Sequence, residues 1–313
     1  MNPARGLVLS LCALVCWSIA PFFFTAAGRR IGPLATNMLR LALATFTIVA
    51  LALARGVAGF HVPWPHPASI AWLAGSGLIG LTIGDAFLYR AFVSIGPGRT
   101  SQIQTLAPAS TAALAFLALG EILSHRQLAG MALILAGVLT ATTSAVRAAR
   151  NSSRVATSAP TNRPTAAYGH AAWAAIWSAL FQGLGTVLAR KAFLSQSDLD
   201  PVLATGIRLG AGAAGLWAYA RTRGPWRPAL GNWTETRTIR LLLGGAVFGP
   251  TLGMLCYISA LKSAPAGIVT TITFMAPLLI IPIGAKLYGT RMGMAALAGT
   301  ALSLAGVVLL GLG

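Results

Sequence analysis

The sequence predicts an all-α integral membrane protein: ten transmembrane helices arranged as two inverted five-helix repeats around a central cavity. Three observations carry that reading. Hydrophobic residues make up 56% of the chain and charged residues only 9%, a balance far from that of a soluble globular protein. The apolar residues fall into about ten runs of roughly 20, the length that crosses a bilayer core as a helix. The chain also repeats itself at an offset of 168 or 169 residues. A β-barrel would show alternation instead, and helices are the form that satisfies backbone groups in lipid.

The runs lie near residues 6–27, 34–54, 69–93, 99–119, 126–146, 169–189, 202–220, 238–261, 265–287 and 292–312. The first resembles a signal peptide because Arg5 precedes it, but its apolar stretch is long for one and no convincing cleavage site follows. It is read as a helix of the mature protein. Between the fifth and sixth runs, residues 147–168 exchange aliphatics for Ser, Thr, Pro, Ala and Arg, which reads as a flexible linker. The domains are therefore 1–146, a first five-helix repeat, and 169–313, a second.

The repeat is visible residue by residue. Tyr89 pairs with Tyr257 and Pro97 with Pro265, 168 residues apart. After one inserted residue, Pro108 pairs with Pro277 and Gly120 with Gly289, 169 apart. Pro33 and Arg40 recur as Pro201 and Arg208. Near each half's end, LAGMALILAGV (128–138) recurs as LAGTALSLAGV (297–307). Its glycines, Gly130 and Gly137 with Gly299 and Gly306, sit on one face, where small residues let helices approach closely. Five spans per half is an odd number, so the second half enters the membrane from the opposite side. Inverted repeats place a site near the bilayer midplane, and rocking of one half against the other gives alternating access.

Within the fourth span a polar stripe is hidden. Ser101, Gln104, Thr105, Pro108 and Thr111 share one face at 3.6 residues per turn, and the face recurs as Thr270, Thr273 and Pro277. These hydroxyls and amides are candidate substrate ligands facing their own twin, with Gln104 and Thr273 the best pair. Pro108 and Pro277 are candidate kink or gating points. Trp17 on the first span and Trp177 with Gln182 on the sixth would add aromatic walls and a polar group to a cavity. Packing is the competing reading for them, as it is for Tyr89 and Tyr257.

Asp85 is the only acid well inside a span. An acid there costs roughly 2.5–3.5 kcal/mol on insertion scales and normally faces protein or water. Its repeat partner is Gly253, so the charge is asymmetric. Two readings stand side by side: a cation-binding or proton-coupling group, and a structural ion pair, for which Arg40 is a better partner than Arg90. Arg40 and Arg208 are symmetric and read as structural, capping helix ends.

The paired halves, the P-x6-R at the start of each second span, the mid-helix prolines and the LGE ending at Glu121 together resemble the EamA-like branch of the drug/metabolite transporter superfamily. That resemblance implies a basket of ten helices in the cell (inner) membrane, exporting amino acids, other metabolites or drugs. It also implies a structural place for Glu121, whose counterpart in the second half is Thr290. Both termini share one side because the number of spans is even. The resemblance implies that this side is cytoplasmic, whereas the distribution of Arg and Lys between the two sides favours the reverse by the positive-inside rule.

The net charge of +18 sits at span ends, as it does in proteins that touch anionic headgroups, so the expected partners are the lipid bilayer and a small-molecule substrate, not nucleic acid. Cys12, Cys16 and Cys256 lie inside apolar spans without metal-ligand or disulfide spacing, and the four histidines have no zinc-type spacing. No metal and no cofactor are expected. No phosphate-binding Gly-rich loop is present. The leading expectation is a secondary exporter of small metabolites, amino acids first. A multidrug exporter of organic cations coupled to protons is the alternative, and a membrane-embedded enzyme a distant third.

Overall fold

The computed structural model describes residues 3–58, 63–95, 100, 103–156, 165–222, 233–288 and 294–311. Ser101, Thr290 and the side chain of Tyr89 lie outside what is described. The first repeat contributes α1 (Pro3–Ile31), α2 (Pro33–Val57), α3 (Pro67–Ser76), α4 (Asp85–Ile95), α5 (Leu106–Leu119) and α6 (His125–Ala156). The second contributes α7 (Thr165–Ser195), α8 (Pro201–Thr222), α9 (Thr236–Ala246), α10 (Met254–Ser263), α11 (Ala266–Thr273), α12 (Ala276–Tyr288) and α13 (Met294–Gly311).

Three pairs of these helices are single spans with an interruption. α3 runs into α4 through π-helical turns at Gly77–Gly84, and α9 runs into α10 through π-helical turns at Val247–Gly253. The two interruptions stand at matching places in the repeat. Pro250 lies inside the second, and glycines loosen the first; both residue types weaken regular α-helical bonding. The α11–α12 break falls at Phe274 and Met275. Pro277 lacks the N–H that would bond the Thr273 carbonyl and crowds that carbonyl, so the helix restarts there. In the first half α5 begins at Leu106, and Pro108 stands in the same relation to Gln104. The mid-helix prolines thus break their spans rather than merely bending them.

Among the described residues, eight stretches are long and apolar enough to cross a bilayer. Leu106–Leu119 is apolar but shorter. α8, with 22 residues, is long enough but carries Arg208 and Arg221. Together these are the ten spans of an all-helical membrane fold. Helical backbone also extends into the segment that composition marks as linker: α6 continues to Ala156 and α7 begins at Thr165. The Ala and Arg residues of 147–156 are good helix formers, which prolongs α6 beyond its apolar run.

The two halves interlock. α7, the first helix of the second half, packs on α3, the π turns, α4 and α5 of the first half. Reciprocally, α1 packs on α9, the second π turns, α10 and α11. α2 packs on α8, and α6 on α13. The close packing runs through glycines. A methyl group at Gly137 would collide with the Gly299 carbonyl and Ser303, and one at Gly130 would lie 2.8 Å from the Gly306 carbonyl. Twin thus meets twin across the pseudo-symmetry, and Ser303 Oγ donates to the carbonyl of Ile134, its own repeat counterpart (3.1 Å). Lipid supplies no hydrophobic drive between helices, so backbone proximity and such bonds hold them together.

Candidate functional site

One face of α7 is the spine of the site. Ser178, Gln182 and Thr186 stand four residues apart and so line up along one side of the helix. Each meets a polar group from another element. Gln104 Nε2 donates to Ser178 Oγ (2.8 Å), and Gln182 Nε2 donates to Asp85 Oδ1 (2.8 Å). Thr186 Oγ1 and the Tyr257 hydroxyl share a hydrogen bond at 2.5 Å.

Asp85 begins α4 directly after the π turns and is 4% exposed. Its other oxygen, Oδ2, receives Arg40 Nη2 at 2.8 Å. Arg40 also donates from Nε to Asn37 Oδ1 (2.6 Å), and its guanidinium lies 5.3 Å from the centre of the Phe24 ring. The expected Asp85–Arg40 pair therefore forms. It joins the first half's second and third spans, and Gln182 ties it to the second half.

Arg208 does something different. It is 2% exposed and donates from Nη1 to Ser76 Oγ (2.5 Å) and to the Gly185 carbonyl (3.2 Å). Its guanidinium lies 5.9 Å from the Tyr257 ring centre. Its Nε has no hydrogen-bond partner, and no carboxylate lies within ion-pair distance of it among the described residues. Helix capping is thus not the role of either arginine: both sit within the body of a helix and reach sideways to other elements. Sequence symmetry hides this difference, because the acid that pairs with Arg40 has no counterpart beside Arg208.

Aromatic groups flank the polar spine. Trp17 lies 5.0 Å from Tyr257 by ring centres, and its Nε1 donates to the Gly249 carbonyl within the π turns (3.2 Å). A π turn shifts backbone bonding by one residue and often marks a functional place. Gly253 leaves room for the indole, since a methyl there would strike Trp17 Nε1. On the other side Phe87, Phe181 and Trp177 form a stack with ring centres 5.7 and 5.8 Å apart, and Trp177 is exposed.

The twinned stripe divides between neighbours. Gln104 faces α7, not Thr273, and its Oε1 is buried without a hydrogen-bond partner. Thr105 is buried at the start of α5. Thr270 and Thr273 are buried and return their hydroxyl bonds to α11, Thr270 to the Ala266 carbonyl and Thr273 to those of Val269 and Thr270. The twin helices do meet, but through Ala112 and Gly267, where an added methyl would lie 2.9 Å from Ala112 Cβ. Small apolar residues allow the closer approach, so the threonines turn inward on their own backbone. Ser178, Ser76 and Asn37 are the partners that sequence reasoning missed. Ser178 was detectable, since it falls four residues before Gln182 on the same face.

Glu121 closes one end of the assembly. Gly120 takes a left-handed conformation (φ +66°) that ends α5, a position glycine occupies without strain. Glu121 then turns toward the second half. Its Oε1 receives Arg190 Nε (2.7 Å), its Oε2 receives the Ala266 N–H (2.9 Å), and Arg190 Nη1 reaches the Leu261 carbonyl (2.6 Å). A structural place for Glu121 fits this geometry. Cys12 lies exposed on α1. A cleft of about 420 Å³ between α6 and α13, lined by Leu139, Thr140 and Ala295 among others, lies away from the spine.

Ten spans in two interlocked repeats around a buried polar spine define a membrane transporter. The EamA-like transporter family model matches residues 4–143 and 170–312, and the chain belongs to that family, within the drug/metabolite transporter superfamily. A solved structure described as "Crystal structure of protein" superposes with a TM-score of 0.75 at 19% identity, covering 99% of this chain and 98% of that one. At that identity the likeness concerns the fold alone. No curated protein matches the chain.

Proposed function

We propose that this protein is a secondary active exporter of small metabolites, amino acids first, working by alternating access in the cell (inner) membrane. The observation that carries the proposal is the Asp85 centre, a buried carboxylate held by residues of both halves beside an aromatic wall. Such an acid inside a membrane is a functional group by default. The moving bodies are the interlocked bundles, each containing helices of both halves, instead of the sequence halves themselves. The Glu121–Arg190 clasp lies on the side of the termini, the side proposed here to be cytoplasmic.

Asp85 is also the proposed proton-coupling residue. The test is counterflow uptake of a radiolabelled amino-acid panel into proteoliposomes, with and without a pH gradient, for wild type and Asp85→Asn. Saturable exchange in wild type, stimulated by the gradient only when Asp85 is present, supports both proposals. Unchanged stimulation in Asp85→Asn removes Asp85 from the coupling step.

One observation favours a second reading. The Phe87–Phe181–Trp177 stack beside Asp85 suits an organic cation, which aromatic faces attract. Exchange of such a cation in competition with protons, and of no amino acid, would establish that reading in place of the first.

A further inference from the structure

Among the described residues, Arg208 is a deeply buried charge with no contact ion pair, and its Nε donor is unmet. A guanidinium cannot shed its proton to escape such a site, and a buried cation without a contact ion pair is costly. Yet this one lies inside the transport fold, on the same α7 face as the Asp85 centre. Gln182 holds Asp85 and Gly185 holds Arg208. These two contact points are three residues apart, about 4.5 Å along the helix axis.

The charge count points the same way. The buried centre sets one carboxylate, Asp85, against two guanidiniums, Arg40 and Arg208, and Arg40 already takes the carboxylate. The surplus is positive, so the group that completes the centre is an anion. Asp85 supplies the negative end of the same centre, its α7 contact about 4.5 Å along the axis from that of Arg208. An anionic and a cationic group set this close together suit a dipolar ligand.

We infer that Arg208 is the substrate's carboxylate anchor and that the site takes a zwitterionic α-amino acid, its ammonium group toward Asp85. This rests on the amino-acid reading above and deepens it. Arginine presents paired N–H groups that match a carboxylate, and the Ser76 and Gly185 bonds hold the guanidinium in place from behind. The inference disfavours an organic cation, which would add positive charge to a centre that already has an excess.

The first test needs no variant. In wild-type proteoliposomes exchanging a labelled amino acid, the matching acid without its amino group is expected to compete, and the matching amine without its carboxylate is not. Competition by the amine alone overturns the inference. The second test is Arg208→Lys and Arg208→Gln, screened for monodisperse behaviour and melting temperature. The glutamine variant is expected to raise the half-saturating concentration about tenfold or more, the scale of one lost charge-assisted contact, with the lysine variant between. A folded glutamine variant with wild-type half-saturation overturns it. Exchange of simple carboxylates but of no amino acid would sink the amino-acid reading and leave Arg208 as the anchor. Exchange of tetraphenylphosphonium alone would sink both. A carboxylate panel that neither exchanges nor raises the melting temperature also overturns the inference.

Discussion

Glu121 and Arg190 form an ion pair at 2.7 Å with both side chains largely buried, and the pair joins the end of α5 to α7. The same carboxylate caps the first N–H of α11, where a negative charge is favoured by the helix dipole. One side chain therefore ties the first half to two helices of the second. Glu121→Gln removes the counter-charge of a buried guanidinium, a loss of about 3–5 kcal/mol. The expected result is a clearly lowered melting temperature in detergent; an unchanged one would show that the clasp contributes nothing.

The α6–α13 contact depends on the absence of side chains. Gly137→Leu would force side-chain atoms into the Gly299 carbonyl and Ser303, and overpacking of this kind costs about 1–3 kcal/mol or more. Gly56 has open space around it, so Gly56→Leu is expected to stay within about 0.5 kcal/mol of wild type, as surface substitutions do. Size-exclusion profiles and melting curves of the two variants compare them directly. Equal behaviour would remove the close approach as a source of stability.

Asp85 and Arg40 are expected to be energetically coupled. Residues in direct contact show interaction energies of about 0.5–3 kcal/mol in a double-mutant cycle. The double variant Asp85→Asn with Arg40→Gln should lose less stability than the sum of the two single losses, because it leaves neither charge of the pair alone. Additive melting shifts would contradict the pair seen at 2.8 Å.

Tyr257→Phe removes a hydroxyl and keeps the ring against Trp17. Thr186 Oγ1 retains its bond to the Gln182 carbonyl (2.9 Å), so no buried donor is orphaned, and the expected cost is only about 1 kcal/mol. A much larger loss of amino-acid exchange than of stability would place the Tyr257 hydroxyl in transport. Parallel losses would assign it to packing alone.

Much of the architecture was legible because bilayer physics writes itself into local pattern. Apolar runs of span length, the twofold recurrence of Pro108 and Pro277, and the glycines of the last helix of each half are all visible along the chain. The Asp85–Arg40 pair was also legible, since a lone acid in a span needs a partner and few cations are available. The twinned stripe was read as one face looking at its copy. Instead Gln104 looks at Ser178, while Thr270 and Thr273 bond their own helix. Period and spacing say which residues share a face; they do not say which helix that face meets.

The sequence by itself determined the class of fold, the number of spans, the inverted repeat and the rarity of a buried acid, because hydrophobic length and internal symmetry are properties of the chain alone. Only the tertiary structure decided that the halves interlock, that the α7 face bearing Ser178, Gln182 and Thr186 is the polar spine, and that Arg40 and Arg208 are unlike. The physical reason is that a buried polar group is defined by its partners. For Arg208 those partners are Ser76, 132 residues away, and Gly185, 23 residues away, and only folding brings three helices together around one guanidinium.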